Sequence, residues 1–340
     1  MQDTLKNDFL DDVVVTAIND LIEQWKKEGL SDSEIIKKLD ACDFQGAYEH
    51  LTKAVREDTF TFFKEHMFEI ALEEKADAGE FFARQEQSWG KCFAASQTMY
   101  TMAVESAEAY SQFITENADA EIVKEKQYTM LVLQHIHGRA CQEFLEILYM
   151  LRLGFADGAY ARWRSMYELC CNAKFIVTYG EQIAQKYYEQ SDTEDQKFTW
   201  AAGVTCNSGQ VLGKKPNFND IQDNCEIDPD WKTQYKLACL VNHGSPQGTF
   251  KRLANGPGTN CIPVGHSNYG IAMPAVQSAI SLLWISHLFL SLFPTAEYLS
   301  RVLLMQDWLD FLREQYEETE KQLFGELDGN TEENEKGFSI

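Results

Sequence analysis

The sequence predicts an all-α fold: a large multi-helix bundle interrupted by two long irregular loops, at about 203–230 and 244–270. Three observations point there. Apolar residues recur at three- and four-residue steps through nearly every extended segment, the mark of helices with one face buried. Gly, Asn, Asp and Pro gather in a few stretches, among them GKKPNFND, EIDPD and NGPGTNCIPVGHSNYG, and leave long runs unbroken. The segment from Gly270 to Phe293 contains no Asp, Glu, Lys or Arg and reads as a buried core helix.

The stretch from Ala156 to Tyr179 is the element around which the rest is arranged. Trp163, Met166, Cys170, Ala173 and Val177 form one apolar stripe, with Leu169 and Ile176 beside it, so more than half of the helix is expected to be buried. Arg162, Arg164, Glu168, Asn172 and Lys174 are embedded in the same helix. Charges on a mostly buried helix need partners, and Arg164 and Glu168, four apart, are within reach of each other. The helix therefore carries either a site or an internal ion-pair strut.

In chain order, residues 4–28 form an amphipathic helix ending at Gly29, followed by the Ser31/Glu34 capping box and the short helix SEIIKKLD. Phe44 to about Lys75 is the next helix, with Tyr48, Leu51, Val55, Phe62, Phe63 and Met67 as its expected buried side. Ala78–Glu116 and Ala120–Leu153 follow, and the Gly154–Gly158 turn folds the latter back onto the central helix as a hairpin. Residues 181–200, Trp231–Asn242 and Ala296 to about Leu327 complete the set. The expected organisation is an N-terminal helical extension over 1–76, a helical core domain over 77–328 and a disordered acidic tail over 329–340.

A net charge of −23 argues against extended nucleic-acid binding, which rests on clustered Lys and Arg. Nine cysteines without a C-x-x-C spacing fit a reducing cytoplasm, and the vicinal Cys170-Cys171 pair reads as two core thiols. The N-terminus lacks the basic and apolar regions of a signal peptide. The charge-free helix is long enough to cross a bilayer, but Pro274, Gln277, four serines and His287 argue against a membrane span.

Phosphate-binding, dinucleotide, serine-hydrolase and HExxH motifs are all missing, and none of the seven histidines has an Arg five positions before it. No metal set or cofactor is legible. What remains is a polar constellation. His135, Arg139, Gln142 and Glu146 form one line on the helix before the turn, placed to meet Arg164, Glu168 and Asn172 across the hairpin. Tyr235, Asn242, His243 and Ser245 lie on or just beyond a later helix end. Two plainer readings stay open: a solvated face for the first line, and a C-terminal helix cap for His243.

The Arg164-Ser165-Met166-Tyr167-Glu168 run and the Asn242-His243-Gly244-Ser245 helix end resemble the bacterial family called domain of unknown function 5677, over roughly residues 90–320. The resemblance implies a helical fold and a role in mobile-element or phage-defence settings, with no established reaction. Two function classes follow. In the first, the protein is an oligomeric interaction or sensor module, a dimer or docked to a protein partner through its long aromatic-rich helices. In the second, it is a nuclease or nucleotide-processing effector. There His243 would be the general acid or base, with Arg164 and Arg139 stabilising anionic charge and Glu168 orienting them. Asn172, Asn242, Ser245 and Tyr235 would contact the ligand.

Overall fold

A computed structural model describes residues 9–194, 197–242, 245–256 and 262–325. The expected tail at 329–340 and His243 lie outside the described residues. Among those described, twelve α-helices and one short 3-10 turn make up the architecture, and no strand is formed beyond a single Thr205–Val211 bridge. The all-α class is thus the fold of this chain.

The chain divides into two units, Met1–Asp77 and Ala78–Ile340. The first holds α1 (Phe9–Lys27), α2 (Asp32–Asp40) and the opening of α3 (Phe44–Asn117). Glu34 closes the capping box at the start of α2, its carboxylate accepting from the Ser31 backbone N–H at 2.9 Å. Two sequence expectations need correcting here. The helices read separately at 44–75 and 78–116 are one helix, α3, because Ala76-Asp77-Ala78-Gly79 contains no proline and one glycine weakens a helix without ending it. The side expected to be buried is also open: Phe62, Phe63 and Met67 are all more than half exposed, and Tyr48 and Val55 are exposed too.

The second unit is built on a hairpin of α5 (Gln127–Arg152) and α6 (Ala156–Tyr179), preceded by the short α4 (Ala120–Glu125). Twelve of the 24 residues of α6 are buried, half rather than more than half, and Val177 near its end is exposed. Gly154 makes the turn with φ +73, and a side chain there would collide with the Phe81 ring and the Ser267 carbonyl, both 2.6 Å from the Cβ position. Glycine is therefore required twice over, for backbone conformation and for space. The next helix, α7 (Glu181–Gln190), supplies the cap for α5: the Glu181 carboxylate accepts from Tyr128 N, Thr129 N and the Thr129 hydroxyl at 2.7–2.9 Å.

The 203–230 stretch, expected as a surface excursion, is exposed over more than half its residues but is anchored in the core. Val204, Cys206, Leu212, Ile221 and Cys225 are buried in the main core, and α8 (Phe218–Gln222) sends Gln222 Nε2 to the Tyr167 hydroxyl at 2.8 Å. Small apolar residues spaced through a polar stretch give no periodic signal, which is why the sequence conceals this packing. Helices α9 (Pro229–Asn242) and α10 (Pro246–Phe250) follow. The second loop is tied to the hairpin turn: Asp157 accepts from Arg252 Nε at 3.1 Å and from Leu253 N at 2.8 Å, and Ser267 N donates to the Gly154 carbonyl at 3.0 Å.

Helix α11 (Ala272–Leu290) packs against α5, α6 and α12 (Ala296–Phe324), and it is the one described helix long and apolar enough to cross a membrane, with 78% of its apolar window buried. Its polar groups are paired inside the protein. Gln277 Oε1 accepts from Trp231 Nε1 at 2.7 Å, Ser281 Oγ from Trp163 Nε1 at 2.9 Å, and Ser286 Oγ lies 3.0 Å from His137 Nε2. Each indole thus supplies the partner that a buried polar group needs. Cys170 and Cys171 are buried thiols, pushed up in pKa by that burial.

Candidate functional site

The polar residues of the hairpin fall into two clusters rather than one. In the first, α5 and α6 face each other through Arg139, Glu143, Glu146, Arg162 and Ser165. Glu143 has no exposed surface, yet it is ionisable; its Oε1 takes Arg139 Nε at 2.8 Å and the Ser165 hydroxyl at 3.0 Å, with Arg162 Nη2 at 3.4 Å. Arg162 Nε also reaches Glu146 Oε2 at 2.6 Å. A buried carboxylate is tolerated only with such partners, and here two guanidiniums converge on one oxygen. The hydrogen bond from Arg139 to Glu143 raises the arginine pKa further. Glu143 Oε2, by contrast, is buried without a protein hydrogen-bond partner.

The second cluster joins α6 to α9. Arg164 Nε lies 3.4 Å from Glu168 Oε1, and the same oxygen accepts from the Tyr235 hydroxyl at 2.9 Å. Tyr235 stacks on Tyr167 with ring centroids 4.6 Å apart. Burial and the neighbouring Glu168 charge push the Tyr235 phenol well above its ordinary pKa, so it stays a donor. Arg164 and Glu168 are each about two-thirds buried, and their pairing forms the strut that the sequence allowed for.

The expected meeting of the α5 line with Arg164, Glu168 and Asn172 is met in part: the Arg139 guanidinium feels the Glu168 charge and shares Tyr187 with Asn172, but its hydrogen bonds lie elsewhere. The hydrogen bonds and ion pairs of Arg139 and Glu146 across the hairpin go to Ser165 and Arg162. On a helix, residues three apart share a face whereas Arg162 and Arg164 point in widely different directions. His135 and Gln142 are exposed, Gln142 donating to Glu146 at 3.1 Å. Asn172 faces Tyr187 of α7, whose phenol is raised by burial and partly held down by Arg139 and by Asn172; the Asn172 Oδ1 is buried without a partner.

Of the other expected residues, His243 and the Asn242 side chain lie outside what the structure describes. Ser245 is a helix cap: its hydroxyl accepts from Gly248 N at 3.0 Å and donates to the Leu240 carbonyl at 3.3 Å. Glu143 was missed by sequence reasoning. Its signal was present, since it sits four residues after Arg139, but it falls one residue outside the polar line, next to Phe144.

Two cavities run along the outer face of α5 beside the first cluster. One of about 590 Å³ is bordered by Tyr100, Gln134, Gly138, Cys141, Gln142 and Leu145; the other, about 510 Å³, by Gln142, Leu145, Glu146, Tyr149 and Phe155 among others. They share Gln142 and Leu145 and so adjoin along α5 as a groove lined mostly by apolar surface, with Glu146 bordering the second. His137 borders the first cavity, but it is buried, its pKa pushed down to about 4 by desolvation. No group of three or more metal-ligating side chains occurs among the described residues.

Residues 130–202 match the family of unknown function DUF5677. The match spans the hairpin from α5 through α7 and takes in Arg139, Glu143, Arg162, Arg164, Glu168, Asn172 and Tyr187. It is narrower than the 90–320 expected from the sequence and leaves out Tyr235 and the Asn242–Ser245 segment. No curated protein and no solved structure matches the chain.

Proposed function

We propose that this protein is a cytoplasmic helical interaction or sensor module, oligomeric, acting in the bacterial defence or mobile-element setting that the family resemblance implies. Its recognition face is the α5 groove together with the Arg139–Glu143–Arg162–Glu146 seam that flanks it. The observation that carries the reading is that the acidic side chains of both clusters are engaged by arginines or Tyr235. A carboxylate held this way orients helices and offers charge at its rim, which suits docking of a partner more than proton transfer. The groove beside it is mostly apolar, which suits an amphipathic segment of a protein partner.

The test combines mass and turnover. Sedimentation equilibrium of the full chain is expected to give an assembly larger than the 38.9 kDa monomer. Incubation with single- and double-stranded nucleic acid and with nucleotides is expected to leave them unchanged. A monomer at every concentration removes the oligomeric part of the reading. Turnover that Glu168→Gln abolishes while the fold is kept would replace the module with an enzyme.

A further inference from the structure

The described residues of the N-terminal unit form almost no buried core. Among its described residues the one buried apolar side chain is Ile35, whereas Phe60, Phe62, Phe63, Met67, Phe68 and Leu72 on α3 are 52–73% exposed. A unit this small with so little buried needs a covering surface.

The order of residues on α3 says what covers it. Lys53, Arg56, Phe60, Phe63, Met67, Ile70, Glu74 and Asp77 follow one another at alternating steps of three and four without exception. That is the spacing of a coiled-coil seam, about 36 Å long at the helical rise. Its chemistry is graded: two cations, four apolar residues, two anions. All four charged residues are exposed, and Lys53 makes a weak surface contact with Glu57 at 3.9 Å.

We propose that this seam pairs with the same seam of a second copy, antiparallel and centred on residue 65. In that register Phe60 meets Ile70 of the second copy and Phe63 meets Met67, while Arg56 faces Glu74 and Lys53 faces Asp77. Every pair sets one seam position against the other kind, as antiparallel helices require. Parallel pairing would instead set cations against cations and anions against anions, which is repulsive at both ends. The inference names the surface behind the oligomeric part of the function proposed above, and it is independent of the α5 seam and groove.

Charge exchange in the full-length chain tests it, with mass measured by sedimentation equilibrium and helix content by circular dichroism. The wild type is expected to be a dimer. Lys53→Glu with Arg56→Glu should weaken dimerisation about tenfold or more, as should Glu74→Lys with Asp77→Lys. All four together should restore it to near the wild-type value; parallel pairing keeps like charges together in every variant and so does not give the loss followed by recovery. A dimer indifferent to either pair of substitutions, or one not restored by the four, overturns this surface and leaves oligomerisation itself standing. A wild type that is monomeric throughout, including one that binds a membrane or another protein through this face, overturns both.

Discussion

The Tyr235 hydroxyl donates to Glu168 Oε1 at 2.9 Å and so joins α9 to the helix at the centre of the fold. Tyr235→Phe removes one charge-assisted hydrogen bond and keeps the ring stacked on Tyr167, so it is expected to lower stability by about 1–2 kcal/mol. Glu168→Gln keeps an acceptor for the phenol and should cost less. Urea unfolding of the two variants checks the order.

Glu143 and Arg162 should be energetically coupled. Arg162→Ala leaves a carboxylate of zero exposure with Arg139 as its remaining guanidinium, at an expected cost of about 2 kcal/mol after allowance for the partly exposed arginine. In Arg162→Ala combined with Glu143→Gln the buried charge is gone, and part of that loss should return. A double-mutant cycle is expected to give a coupling of about 1–2 kcal/mol. Strict additivity would mean that Arg139 and Ser165 alone satisfy the carboxylate.

The buried imidazole of His137 predicts an acid-side loss of stability. Its folded pKa is pushed down to about 4 by desolvation, with Ser286, Cys141 and Phe289 against the ring, whereas the unfolded value is 6.5. Above 6.5 both states are neutral and this group contributes no pH dependence. As pH falls from 6.5 towards 4 the unfolded chain binds the proton and the folded one does not, so stability falls, by about 3 kcal/mol in full. The melting temperature of His137→Gln should therefore decline less than that of the wild type across this window. Parallel curves would show that the ring is protonated in the folded state.

Gly154→Ala should be among the more damaging small substitutions. It places a Cβ 2.6 Å from both the Phe81 ring and the Ser267 carbonyl, at a positive φ that L-residues rarely adopt. The expected loss is about 2–4 kcal/mol, with the contact between the hairpin turn and the 262–270 loop loosened first. Hydrogen exchange at Ser267 N, which donates to the Gly154 carbonyl, reports that loosening directly.

What the sequence determined by itself was local. Three- and four-residue apolar spacing identifies α6, the run without charged residues identifies α11, the glycines at 154 and 158 mark the hairpin turn, and the Arg164–Glu168 pair is readable because both partners lie on one helix face. Tertiary structure alone decided which polar groups meet across helices. Periodicity gives the face of a residue but not its neighbour, so it points Arg139 towards Glu168 without showing that its hydrogen bonds go to Glu143 and Ser165. It also decided that the apolar residues at the start of α3 stay exposed while those at 204–225 are buried. Burial depends on what the rest of the chain brings alongside, and that is information no stretch of sequence carries on its own.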